Sequence, residues 1–298
     1  MNHLFLVGCL LGCAALASAG IQQGTTKAKE TYSAELAKWR KQQELDLKAD
    51  EGFLSVAGLF WLKEGDNSFG TDPSCAVKLP AGSTARLAGV LNRHDGQVTM
   101  TLNPGVTATL KGQNVTSTPL AVDSDRITLG ALRFMAIRRG NRIGIRLWDR
   151  NCKGYTEFKG LKWYAPNPKC VVKAKFVPYD PPKMVDITNV LGDTQPVPVV
   201  GYLEFVLAGK TLRLDAQGTG EGLFINFRDL TSGNETYPAG RFLDAPKPVN
   251  GEVLIDFNQA TNPPCAFTSF ATCPLPPRQN YLPVAITAGE KTHHPAGE

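Results

Sequence analysis

Between residues 97 and 149 the chain repeats one pattern: "QVTMTLN", "VTATLKG", "RITLG", "LRFMAIRRG" and "RIGIRLWD" alternate apolar and polar residues, and each run closes on Gly, Asn or Asp. Alternation with period two marks a strand buried on one face. Stops this frequent favour a β-sandwich over βαβ units. The pairs Asp95-Gly96 in "RHDGQ" and Gly140-Asn141 in "RRGNR" suit tight hairpin tips. With 29 glycines and 21 prolines in 298 residues, the whole chain leans the same way, toward turn-rich β structure. The expected fold is mainly β, with two sandwich-like β domains preceded by one N-terminal helix.

The helix is "TKAKETYSAELAKWRKQQELDLKAD", where Tyr32, Leu36, Trp39 and Leu47 recur at helical spacing among Lys and Glu. It belongs to residues 20–50, and the first β domain follows over 51–157. Residues 158–182, "FKGLKWYAPNPKC" and then "VVKAKFVPYDPP", combine aromatic anchors with proline breaks and read as an extended linker. The second β domain covers 183–290; in it "YLEFVLAG" and "KTLRLDA" alternate about an Ala208-Gly209 turn. Residues 291–298 read as a frayed tail.

Residues 1–19 have the features of an export signal: an apolar stretch from Leu4 to Leu16, then "ASA" before Gly20. Cleavage after Ala19 makes the protein periplasmic or secreted. "LLGC" is similar to a bacterial lipobox, and through it Cys13 becomes a lipid anchor in the alternative route. The apolar stretch is too short to span a bilayer, and no other run approaches a span. A net charge of +5 without a basic stripe speaks against nucleic acid and for at most a weak preference for anions. Of seven cysteines, Cys9 and Cys13 lie in the leader, which leaves five. In an oxidising compartment Cys265 with Cys273 and Cys152 with Cys170 are the economical disulfides, with Cys75 a buried thiol.

Common catalytic classes are short of parts. His94 sits at a hairpin tip, and His293 and His294 belong to the tail, so neither serine nor cysteine chemistry has an evident base. No CxxC or HxxxH spacing offers a metal site, no nucleotide loop or GxSxG elbow occurs, and nothing calls for a cofactor. What remains is polar density in the second domain: "NFRDLTSGNETYPAGRF" and "DFNQATNPPC". Arg228, Tyr237, Arg241, Asn258 and Asn262 could clamp a polar or anionic small ligand through forked hydrogen bonds. Asn258 is expected to share a strand face with Asp256, opposite Phe257. The competing reading is a buried network that locks a loop. Asp229, Glu235 and Asp256 could supply an acid and a base for hydrolysis. A lesser cluster, Arg138, Arg139, Arg142, Arg146 and Arg150 beside Trp148, reads as a charged strand edge, with an anion-binding groove as the alternative.

Two resemblances add to this. "LKEGDNSFGTDPSCAVKLP" resembles the start of a forkhead-associated-type sandwich, which implies that fold for the first domain. Such domains read phosphothreonine with an arginine just after the glycine; here Thr71 follows Gly70, so the phosphopeptide function does not carry over. "FMAIRRGNRIGIRLWD", "FRDLTSGNETYPAGRFL" and above all "DFNQATNPPCAFTSFATCPLPPRQNYLPVAITAGEK" resemble segments of the domain of unknown function family 1684. Thr261 stands where that family commonly carries tyrosine. The resemblance implies a mainly bacterial, often exported protein and no named activity. The expectation is an exported β protein that binds a polar or anionic small ligand or serves as a scaffold. The alternative is a carboxylate hydrolase whose Arg241 and Tyr237 hold substrate.

Overall fold

The structure, a computed structural model, describes residues 14–293, with side chains from residue 30 onward. Most of the expected leader, with Cys9 and Cys13, therefore lies outside the described residues, as do residues 294–298. The chain divides into two compact units, Met1–Gln43 and Glu44–Glu298. A helix runs Ala14–Leu47, across the boundary between the two, and so begins before the expected cleavage point at Ala19. Within it Leu36 is buried and Tyr32 and Trp39 are half-buried, as their spacing requires. No helix among the described residues is long and apolar enough to cross a membrane.

The second unit is built from three sheets, as the alternating runs require. One has six strands in the order Val56–Trp61, Arg142–Trp148, Leu132–Arg139, Ile127–Leu129, Ala108–Leu110, Gln113–Val115. The next has five, in the order Val77–Lys78, Gly65–Gly70, Gly89–His94, Gln97–Leu102, Ser117–Leu120. They share one core, in which Leu91, Val98 and Met100 of the smaller sheet meet Phe134, Ile143, Ile145 and Leu147 of the larger. Asp95 and Gly96 both take positive φ at the tip that pairs His94 with Gln97, the conformation an Asp-Gly hairpin supplies.

The arginine-rich pair Leu132–Arg139 and Arg142–Trp148 is not a sheet edge. Arg142–Trp148 hydrogen-bonds to a strand on each side, Val56–Trp61 and Leu132–Arg139. Its odd positions Ile143, Ile145 and Leu147 fill the shared core, so Arg146 and Trp148 face the other way, where the remainder of the chain covers them.

The third sheet orders six antiparallel strands as Arg241–Pro246, Gly222–Phe227, Lys210–Gly218, Thr194–Leu207, Val171–Thr188, Glu252–Asp256. Their inner faces meet in a single core, from Val172 and Ala174 through Leu203, Leu214 and Ile225 to Leu243 and Ile255. Leu282, Val284, Ile286 and Ala288 close that core. These four alternate along an extended segment that belongs to no sheet. The stretch read as a linker becomes strand at Val171 and pairs on both sides, with Glu252–Asp256 and with Thr194–Leu207. Its prolines do not end it, because the register shifts between Pro178 and Lys183 and the strand bulges past them.

Candidate functional site

Arg241 opens its strand on the inward face, in step with Leu243 and Ala245, and is 1% exposed. Its Nη2 donates to Asp229 Oδ2 at 2.6 Å and to the Ile286 carbonyl at 3.0 Å, and its Nη1 donates to the Ala288 carbonyl. The guanidinium lies 5.2 Å above the Phe227 ring. Asp229 in turn accepts from the Thr231 amide at 2.6 Å. An arginine placed among apolar residues thus has its charge met by a carboxylate and by carbonyls of the segment that closes the core. Arg241 ties that segment to the sheet rather than presenting its fork to a ligand.

Asn262 belongs to the same buried layer. It donates from its amide at 2.8 Å and its Nδ2 at 2.7 Å to the two oxygens of Glu290, which is 1% exposed. Burial pushes the Glu290 carboxyl up to about 7 against the two hydrogen bonds, which pull it down. The turn that aims it inward needs glycine: Gly289 has φ +82°, and a Cβ there would stand 2.7 Å from the carbonyls of Ala260 and Phe257.

The other expected residues scatter. The strand ends at Asp256, so Asn258 does not share a strand face with it. Asp256 instead caps a 3-10 turn by accepting from the Asn258 amide and Nδ2, both at 2.9 Å. Asn258 is fully buried and exchanges hydrogen bonds with the Asn167 backbone at 2.7 and 3.0 Å. Arg228 is half-exposed over the Tyr281 ring. Glu235 is exposed and pairs with Lys291 at 3.0 Å, which draws its carboxyl below the ordinary glutamate range. Asp229, Glu235 and Asp256 therefore serve an ion pair, a surface pair and a cap, and none lines the cavities described next.

Tyr237 does line one. A cleft of about 600 Å³ opens between Leu54, Val56, Ala57 and Cys152–Gly154 on one wall and Gly233, Asn234, Thr236–Pro238 and Cys265–Phe270 on the other. Phe267 and Phe270 give it apolar surface; Tyr237, Asn234 and Thr268 give it polar groups. It adjoins a recess of about 200 Å³ through shared walls at Lys153, Phe267 and His293, and the recess adds Lys159 and Lys162. His293, assigned above to the tail, has its ring centroid 5.7 Å from that of Phe158 and 5.1 Å from that of Phe267. The preceding residues are bonded too, Lys291 to the Lys162 carbonyl and Thr292 to that of Glu235. A Phe-x-Gly run at 158–160 and a histidine far along the chain carry no sequence signal of meeting, so His293 and Lys153 could only be found by folding the chain.

The segment "NPPCAFTSFATCPLPP" forms one wall of this cleft and spans between the sheets. Thr268 donates to the Val56 carbonyl at 3.0 Å, Arg139 donates to Thr272 at 3.0 Å, and Asn226 donates to the Pro274 carbonyl at 3.4 Å. Tyr237 donates to the Cys265 carbonyl at 2.9 Å. The expected disulfides are not present: Cys75, Cys152, Cys170, Cys265 and Cys273 are all free thiols. Cys152 donates to the Leu54 carbonyl at 3.1 Å and Cys170 lies in the core of the third sheet, so neither is turned to the other. Cys265 and Cys273 are neighbours, and the Cys265 amide donates to the Cys273 sulfur at 3.1 Å.

Glu64, just before the strand Gly65–Gly70, and His94 and Asp95 of the hairpin tip bring one ligand atom each within 4.8 Å of one another, all three exposed. They hold one another through contacts of 3.5 Å between His94 and each carboxylate.

Residues 156–291 match the family described as Protein of unknown function (DUF1684). Of the segments quoted from the sequence for that family, "FRDLTSGNETYPAGRFL" and the run from Asp256 to Lys291 lie within the family match, and "FMAIRRGNRIGIRLWD" lies before it. A solved uncharacterized protein of Haloarcula marismortui, determined by solution NMR, is 36% identical over 46% of this chain and 78% of its own, with a TM-score of 0.39. A chain of the crystal structure of the FhaA FHA domain complexed with the intracellular domain of Rv3910 is 20% identical over 30% of this chain and 96% of its own, with a TM-score of 0.23. At those TM-scores the superpositions carry no argument, and the fold rests on the sheets described above. No curated protein matches. By the family match over residues 156–291, the chain belongs to the DUF1684 family of proteins of unknown function.

Proposed function

We propose that this protein binds a small anionic ligand with an apolar or ring portion in the cleft between the Cys265–Phe270 wall and the wall of Leu54, Val56 and Ala57. The observation that carries the reading is the make-up of that cleft: a cavity of about 600 Å³ with Phe267 and Phe270 on its wall and a rim of Lys153 and His293 leading to Lys159 and Lys162. Concave, largely apolar sites with a few convergent polar groups are where small ligands are held. The ammonium groups supply the charge preference, while Tyr237 and Asn234 supply direction. The ligand site thus moves from Arg241, whose two Nη groups already donate to Asp229 and to backbone carbonyls, to the face of Tyr237 that opens on the cleft.

The test is thermal melting against aromatic and aliphatic carboxylates, phosphates and neutral sugars. A carboxylate or phosphate is expected to raise the Tm, with Lys153→Glu weakening its Kd at least tenfold and leaving the unliganded Tm within a degree or two. If no compound raises the Tm, or the shift survives Lys153→Glu unchanged, the cleft is not the site. Export belongs to the same proposal, supported by the Leu4 to Leu16 stretch and "ASA". N-terminal sequencing of protein expressed from the full reading frame in a bacterium should begin at Gly20; a lipidated Cys13 start would show the anchored route, and an intact Met1 would refute both.

A further inference from the structure

We propose that Cys265 and Cys273 are a redox-active dithiol, with Cys265 as the outer thiol that exchanges with small disulfides entering the cleft and Cys273 as the buried thiol that resolves the adduct. The proposal does not depend on which ligand, if any, the cleft holds.

Four observations carry it. The two thiols are in mutual reach: the Cys265 amide donates to the Cys273 sulfur at 3.1 Å. They are unequal in access, since Cys265 is half-exposed on the cleft wall while Cys273 is 5% exposed and borders no cavity described above. Their surroundings favour negative charge on Cys265: the Cys273 thiol and the Tyr237 hydroxyl both support its thiolate and lower its pKa, whereas the bond to Cys265 and burial raise that of Cys273. Fourth, a cation is stored nearby. Arg146 is 8% exposed, its Nε has no partner among the described residues, and burial and the Arg139 charge both lower its pKa, while Asp123 and a Cys273 thiolate would raise it. A guanidinium held this way is costly unless a negative group compensates it, and a thiolate passing between the two sulfurs is such a group.

The chemistry balances with a small disulfide, R–S–S–R′, as oxidant. The Cys265 thiolate attacks one sulfur; the Cys265–S–S–R bond forms, the S–S bond of the reagent breaks, and R′S⁻ leaves and takes up a proton. The Cys273 sulfur then attacks that of Cys265, the Cys265–S–S–R bond breaks, and the Cys273 proton leaves with the departing sulfur as RSH. Two electrons pass from the dithiol to the reagent, giving two small thiols and one intramolecular disulfide. Cys152 lines the same cleft but donates to the Leu54 carbonyl, and burial raises its pKa, so it is an internal control.

The experiment is a pulse of iodoacetamide on the reduced full chain, with each cysteine followed by mass spectrometry from pH 5 to 9, and then titration with oxidised and reduced glutathione. At pH 7 Cys265 should alkylate at least tenfold faster than Cys152. Oxidised glutathione should yield the Cys265–Cys273 disulfide, and reduced glutathione should reopen it. In Cys273→Ser the glutathionyl adduct should remain on Cys265. If that variant fails to fold, the wild-type labelling rates and the reversibility still decide. Alkylation of Cys265 no faster than Cys152, a bridge that millimolar reduced glutathione cannot open, or an adduct on Cys152 alone would each overturn the proposal. The bridge that cannot be opened would mark a structural staple.

Discussion

Asp229 and Arg241 form an ion pair from which water is excluded, with side chains 0% and 1% exposed. Removing one partner strands the other charge in the core. Asp229→Asn is therefore expected to cost about 3–5 kcal/mol of stability, read from urea melts, without changing ligand binding in the cleft. Glu290 makes a different prediction. Its folded pKa, about 7, lies above its ordinary 4.5, so between those values the folded chain keeps a proton the unfolded chain has released. This contribution is fully present below about pH 4.5 and is lost as pH rises through about 7. It amounts to something on the order of 3 kcal/mol. Arg241 opposes the upward shift and Glu44 adds to it. Urea midpoints should fall between pH 5 and 8, and Glu290→Gln should remove most of that fall; an equal fall in both proteins would show that the slope originates elsewhere.

At the scale of elements, the hairpin tip at Ala208-Gly209 was legible and is imperfect. Both residues take positive φ, +52° and +73°, between the paired ends Leu207 and Lys210. Alanine carries a Cβ penalty there that asparagine relieves. Ala208→Asn should stabilise by roughly 0.5–1 kcal/mol, seen as a higher Tm. Strands with a buried face could be read because period two survives in the sequence whatever their partner is. The first part of the strand Val171–Thr188, up to Pro182, was read as a linker because its prolines mimic a break, and only the bulge seen in pairing shows how the ladder continues. Asn258 was misplaced for a related reason: alternation cannot announce that Asp256 will accept hydrogen bonds from its own neighbour and end the strand. The arginine-rich hairpin was read as an edge because its arginines look solvated. Arg146 is instead buried with its guanidinium 5.8 Å from the Phe53 ring, a contact to a residue over ninety positions earlier that no local pattern encodes.

For the whole molecule, the polar density read from the sequence falls mostly in a buried network rather than on the cleft. Arg241, Asn262 and Asp229 cluster as expected, yet they join the closing segment to the third sheet, while the cleft draws on Tyr237, Cys265, Cys152 and His293 from four distant stretches. The Cys265–Phe270 wall also fastens the third sheet to the first through Thr268. Oxidising Cys265 with Cys273 would shorten the free loop of the unfolded chain and add roughly 2–3 kcal/mol by loop closure. The oxidised protein should accordingly melt higher than the reduced one, and Cys273→Ser should abolish the difference.

Leu282, Val284, Ile286 and Ala288 have a consequence for synthesis. They complete a core whose earliest strand begins at Val171, more than a hundred residues before. A nascent chain that has yet to reach residue 288 can pair strands but cannot seal them from water, and Arg241 then has no carbonyls to receive its guanidinium. The third sheet should therefore stay loose until the segment emerges, and a chain that must be threaded through a membrane before it folds would benefit from that delay. A ribosome-stalled chain ending at residue 280 should be cut by protease within Val171–Asp256, and one released at full length should resist.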